Sequence, residues 1–113
     1  MKNGNKIEVL VYPTSDAEKS KKLLNAYLGV EPYVDGDYYI GYKTEGMEIG
    51  LDPNASDGPI SYVDTDDIEG TLQTLVEAGA EVVQEPVDVA NGLLVARLKD
   101  GDGDLFGVRQ PPS

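Results

Sequence analysis

Any chemistry in this 113-residue chain has to rest on carboxylates, phenols and cationic side chains, because it holds neither cysteine nor histidine. Disulfides and thiolate metal sites are excluded. So are the commonest metal ligand and the commonest general base near neutral pH. Glu48 and Asp52 fall on one face of the run 47–52, whose other face is Met47, Ile49 and Leu51. Together they could move a proton or hold a cation, or they form a solvated strand face. Tyr38 and Tyr42 share a face of the strand-like run 37–43, and Tyr39 takes the other. Tyrosines lining a cleft suit flat or cationic guests, although ordinary sheet packing uses them too. Arg97 and Arg109 are the only arginines; either could clamp an anion or pair with nearby carboxylates. Phe106, the only phenylalanine, fits the core or a cleft wall. Asp100, Asp102 and Asp104 alternate as in a calcium loop, but Leu105 stands where an EF-hand needs Gly and Pro111 where it needs Glu. A hairpin turn is the better reading.

Charge narrows the partners. A formal net charge of −12 repels phosphate backbones and anionic lipid, so nucleic-acid and membrane-surface roles are disfavoured. The same charge would draw a cationic ligand if it lined a cleft, and otherwise serves solubility. No apolar run approaches a membrane span, and Met1–Lys6 lacks a signal-peptide core. A cytoplasmic protein is expected. The length suits one folding unit that buries roughly two-thirds of its unfolded surface.

The elements that must carry these residues are legible in outline. In the stretch 63–83, Asp66 with Glu69 has capping-box spacing, Ile68, Leu72, Leu75 and Val76 trace one helical face, and Gly79 suits a helix stop. The first half repeats the plan. Strand 6–12 is followed by a Ser15–Glu18 cap, a helix with Ala17, Leu24 and Leu28 beside Leu23 and Tyr27, and a stop at Gly29. Further strands are expected at 30–34, 37–43 and 47–52, then a linker at 53–59. The second half offers strands 60–64, 80–84, 92–99 and 104–110, with 85–92 a loop of weak strand character. The offset between halves is about fifty residues. The expected architecture is therefore α+β: a single domain over 1–113 built from two βαβββ modules, 6–52 and 60–110, which pair because neither covers both faces of its sheet alone.

Three stretches carry a likeness to a known family: Tyr12–Ser20 with Tyr27–Tyr33, Val63–Glu69 with Leu75–Ala80, and the closing hairpin Leu98–Gln110. Together they resemble the vicinal oxygen chelate superfamily, which includes glyoxalase I, extradiol dioxygenases and bleomycin-resistance proteins. The resemblance implies a curved mixed sheet around a cleft, with a divalent metal held by side chains from the first and last strands of each half. Carried over, those positions fall on Val9 (Glu8 after a one-residue slip), Ile60, Glu48 and Gly107. A carbon side chain and a glycine offer no donor. The nearer match is thus the metal-free branch: a homodimeric small-molecule binder without cofactor, with Tyr38, Tyr42, Glu48, Asp52, Arg97 and Phe106 as candidate ligand contacts. The alternative is a lyase or isomerase with Glu48 as general base, with or without a divalent metal on Glu8 and Glu48. A structural dimerisation module with a vestigial cleft is the third possibility.

Overall fold

The computed structural model describes residues 6–55 and 57–113. Met1–Asn5, and Ser56 of the expected linker, lie outside the described residues. The chain runs β1 (Val9–Pro13), α1 (Ala17–Leu28), β2 (Val34–Asp35), β3 (Ile40–Lys43), β4 (Glu48–Asp52), β5 (Ile60–Asp64), α2 (Ile68–Glu77), β6 (Glu81–Ala90), β7 (Leu93–Lys99) and β8 (Leu105–Gln110). That order is βαβββ twice, an α+β fold. Two compact units result: Glu8–Ile60, and Ser61–Ser113 together with Lys6 and Ile7.

In the first unit the strands lie in the order β2-β3-β4-β1. β1 runs parallel to β4, with Val9 opposite Glu48 and Val11 opposite Gly50, while β3 runs antiparallel to β4, with Gly41 opposite Gly50 and Lys43 opposite Glu48. Strand side chains alternate between faces. Ile40, Tyr42, Ile49 and Leu51 form a buried cluster with Leu10, Ala17, Leu24, Leu28 and Met47. Gly41, Lys43, Glu48, Gly50 and Asp52 are therefore presented on the face away from α1.

In the second unit the order is β5-β8-β7-β6. Ile68 and Leu72 of α2 pack on Ala96, Leu98 and Val108, with Leu75, Ala80, Val82 and Leu94 around them. Tyr62, Gly107 and Arg97 lie opposite one another across β5, β8 and β7, and the next row holds Asp64, Arg109 and Val95. Both rows belong to the face away from α2.

Both helices start one residue later than the capping-box spacing suggests. The N-caps are Asp16 and Asp67, whose carboxylates accept from Lys19 N and Gly70 N. Ser15 and Asp66 lose the role because a threonine two residues before each cap selects the aspartate. Thr14 Oγ1 takes the Asp16 N–H and Thr65 Oγ1 the Asp67 N–H, both at 3.1 Å. Each threonine is buried and also pairs with a hydroxyl in the helix, Thr14 with Ser20 at 2.6 Å and Thr65 with Thr71 at 2.8 Å. A hydroxyl–hydroxyl pair satisfies both groups without water. Gly79 follows α2 with φ +115, as expected of a helix stop.

Four local expectations are corrected. Leu23 and Tyr27 are exposed rather than part of the α1 contact, and Val76 is 47 % exposed. The strand expected over 30–34 survives only at its end, as β2, because Pro32 has no N–H to donate. The run 37–43 becomes a strand only from Ile40, since a turn closed by Gly36 N–H and the Tyr39 carbonyl occupies its start. The region 85–92 continues β6 to Ala90 instead of forming a loop. Asn91 (φ 51) and Gly92 (φ 95) make a two-residue hairpin turn, and the Asp88 carboxylate accepts the Gly92 N–H. Asn-Gly is the strongest short hairpin signal, so this strand was there to be read. As an outer strand, β6 carries Glu81, Glu85, Asp88, Pro86 and three register shifts, which together discourage strand addition.

Candidate functional site

Glu48 is the residue around which side chains gather in the first unit. The Tyr33 hydroxyl donates to its Oε1 at 2.8 Å and the Tyr39 hydroxyl to its Oε2 at 2.5 Å. Charge-assisted bonds of this kind are roughly twice as strong as neutral ones. The rings reach Glu48 because the sheet beneath them has no side chains. A Cβ at Gly50 would lie 2.5 Å from Tyr39 Cε1, and one at Gly41 would lie 2.9 Å from both the Tyr33 and Tyr39 rings. Lys43, opposite Glu48 on β3, sets its Nζ 4.6 Å from the centre of the Tyr33 ring. This face is a carboxylate held by two phenols on a glycine floor, with one cation already resting on an aromatic ring.

The other expected ligand contacts are dispersed. Asp52 shares the Glu48 face, but four residues along a strand separates them by about 13 Å. Its Oδ1 accepts Asn54 N–H and its carbonyl accepts Thr14 N–H, so it organises the turn after β4. Tyr42 is fully buried under α1, and its hydroxyl donates to Asn25 Oδ1 at 2.7 Å. Burial raises this phenol above its ordinary value of 10.0, Lys21 acts the other way, and Glu31 and Asp35 add to the rise. Tyr38 is 80 % exposed in the turn before β3 and does not share a face with Tyr42. Phe106 is 44 % exposed and alternates with Gly107 onto the α2 side of β8. Arg97 donates through Nε to the Tyr62 hydroxyl at 3.2 Å. Arg109 makes a two-pronged pair with Asp64, at 2.8 and 3.1 Å. The Asp100 carboxylate accepts the N–H groups of Asp102 and Asp104, which makes that acidic run a self-bonded turn.

Tyr33 and Tyr62 were not singled out from the sequence, and Tyr39 was placed only on the face opposite Tyr38 and Tyr42. The available signal was glycine inside strands, at Gly41, Gly50 and Gly107, which marks places where another group comes close. Gly50 and Gly107 are equivalent by register, opposite Val11 and Tyr62 of the first strand in each unit. Each has a tyrosine ring over it.

The positions that the resemblance assigns to metal ligands do not assemble a donor set. Val9, Ile60 and Gly107 carry no donor. The Glu8 carbonyl accepts the Glu48 N–H, and since Val9 is the residue opposite Glu48, the Glu8 side chain alternates to the other face. A side chain at position 107 would also collide with the Tyr62 ring. Among the described residues no group of three or more His, Cys, Asp or Glu side chains could hold an ion. No helix there is long and apolar enough to cross a membrane.

Duplicated βαβββ units with one helix in each define a recognisable class of fold. The chain belongs to the Glyoxalase/Bleomycin resistance protein/Dioxygenase superfamily, whose sequence model matches residues 6–108. No functionally curated protein matches it in sequence. Among solved structures it is similar to a hypothetical protein, BH1468, from Bacillus halodurans C-125 (17 % identity, TM-score 0.78, 100 % of this chain and 97 % of that one). It is also similar to the Mn(II)-bound glyoxalase from Novosphingobium aromaticivorans (20 %, TM-score 0.73, 97 % of this chain but 40 % of that one). A third is the methylmalonyl-CoA epimerase of Streptomyces coelicolor (14 %, TM-score 0.71, 96 % and 98 %). At these identities the likeness is one of fold.

Proposed function

We propose that the protein is a small-molecule binder of its superfamily, working without metal catalysis, and that Glu48 with Tyr33 and Tyr39 is where a cationic, aromatic ligand docks. The observation that carries this reading is the double phenol contact on Glu48 above Gly41 and Gly50. A carboxylate so held is pre-oriented, and each oxygen keeps a further lone pair for an N–H donor. The phenol rings supply flat surface, and the Lys43–Tyr33 contact is an internal example of a cation on that surface. Asp52, Tyr38, Tyr42 and Phe106 contribute less directly, through turn geometry, rim or packing.

The test is thermal shift and calorimetry with benzamidine and metal-free bleomycin as cationic probes. A native-state ligand raises the melting temperature. Wild-type protein should respond, Glu48→Gln should lose most of the response, and Tyr39→Phe part of it. A wild-type protein indifferent to both probes would sink the proposal, as would an undiminished response in Glu48→Gln.

The second reading makes Glu48 a general base on a carbon acid, in a lyase or isomerase. Its support is that Glu48 is a carboxylate fixed by two phenol donors above a bare glycine floor, in position to take a proton. Deuterium wash-in at the α-carbon of methylmalonyl-CoA, abolished by Glu48→Gln, is the result that would favour it. The same proposal takes the protein to be a cytoplasmic homodimer, supported by Leu23 and Tyr27 left exposed on α1. Light scattering at twice 12.1 kDa is the check.

A further inference from the structure

The second unit holds a buried polar group that the reading above does not use. Tyr62 is 5 % exposed, and its ring lies across Gly107, the residue opposite it on β8. The next strand places Arg97 opposite Gly107, so the phenol oxygen meets Arg97 Nε at 3.2 Å. In that contact the guanidinium donates and the phenol accepts. The phenol hydrogen is left over. Among the described residues Tyr62 makes no other hydrogen bond. A phenol whose oxygen is already filled by a cationic N–H is oriented as a donor and strengthened as one. Buried donors are normally satisfied, and the acceptor that suits this one is a ligand oxygen.

The face away from α2 carries Arg97, Lys99 and Arg109 together with Asp64 and, opposite Lys99 on β6, Glu81, whose carboxylate lies 3.9 Å from Lys99 Nζ. Arg109 is matched by Asp64. Arg97 acts through the phenol and is a positioning residue.

From this we infer that Tyr62, held by Arg97 above Gly107, is a second ligand subsite that donates its O–H to an sp² oxygen, either a carboxylate or a neutral carbonyl. It lies in the unit that does not hold Glu48 and takes the opposite kind of group. Gly107 is necessary to it, because any side chain there would occupy the space of the ring.

Benzoate and benzamide present the same oxygen with and without charge. Titrations of both, followed by calorimetry and by the ring resonances of ¹³C-labelled tyrosine, test the inference on the intact protein. At least one probe should bind wild type and shift the Tyr62 resonances. Tyr62→Phe, which keeps the ring, should weaken that probe about ten-fold. Arg97→Lys keeps the charge but not the fixed Nε–H, and should weaken it while leaving the Glu48-dependent benzamidine response unchanged. Preference for benzoate identifies a carboxylate ligand, and equal binding a carbonyl. Binding that is equal in wild type and Tyr62→Phe refutes the inference, and so does the absence of binding by both probes. Neither result bears on Glu48, whose probes are cations.

Discussion

Replacing Gly107 by alanine asks whether the Tyr62 ring really depends on a bare backbone. A Cβ at position 107 would stand 2.8 Å from Tyr62 Cζ and nearer still to Cδ1 and Cε1. Ordinary contact begins at 3.4 Å and Cε1 and Cδ1 lie closer than Cζ, so the ring must move by well over 0.6 Å, and it is buried. Overpacking of this kind costs about 1–3 kcal/mol. Displacement also strains the Arg97 bond, and hydrogen bonds to charged groups are worth about 1.5–3 kcal/mol. Alanine restricts the unfolded chain and returns about 0.4–1 kcal/mol. The net expectation is a loss of about 1.5–5.5 kcal/mol, a fall in melting temperature on the order of 10–20 °C for a domain of this size. Gly101 is the control. Nothing lies within 4 Å of its notional Cβ, and its backbone is not in the left-handed region; Gly101→Ala should melt at or slightly above wild type. The decisive arm is a double-mutant cycle. In a Tyr62→Ala background the ring is gone, and Gly107→Ala should cost at least about 1 kcal/mol less than in wild type. Urea denaturation with circular dichroism reads all five proteins. A Gly107→Ala protein as stable as the Gly101 control, or a penalty unchanged without Tyr62, refutes the reasoning.

Other expectations follow from the caps and the titrations. Asp67→Ala and Asp16→Ala should each lower stability by about 1 kcal/mol, whereas Ser15→Ala should stay within about 0.5 kcal/mol of wild type; the ordering in urea midpoints is the test. Alkaline stability should decline above pH 10. Burial raises the Tyr42 phenol above 10.0, and the hydrogen bonds that Lys21 donates to Asp35 and then to Glu18 raise it above 10.5, so the folded chain keeps both protons to higher pH than the unfolded chain does. Their contribution is therefore complete below about pH 10 and fades as pH rises through the folded values. Tyr42→Phe removes one of the two groups and should flatten the decline between pH 10 and 11.5 while lowering stability at neutral pH through loss of the Asn25 bond. An unchanged alkaline slope would count against the assignment.

How far the sequence could be read depended on the range of the forces involved. The βαβββ duplication was visible because apolar periodicity and glycine stops are local, and both helices lie within a residue or two of their expected places. The N-caps slipped by one because Thr14 and Thr65 choose the aspartate through a hydroxyl that is itself tied to Ser20 or Thr71 a turn and a half further on. The Thr-x-Asp-x-x-x-Ser/Thr pattern sat in both halves, but its meaning depends on burial. Glu48 was identifiable as a carboxylate on the polar face of a strand. Its partners were not, because Tyr33 and Tyr39 are 15 and 9 residues away along the chain.

Composition and order by themselves settled the reliance on carboxylates and phenols, the duplicated α+β plan and the lack of donors at Val9, Ile60 and Gly107. Tertiary structure alone decided where each tyrosine goes. Tyr42, on the α1 face of β3, is consumed by the core, Tyr38 is left in a turn, and Tyr33, Tyr39 and Tyr62 lie over glycines to meet Glu48 and Arg97. The physical reason is that a residue's type is a property of one position, whereas the space above a glycine belongs to whichever strand the register brings beside it.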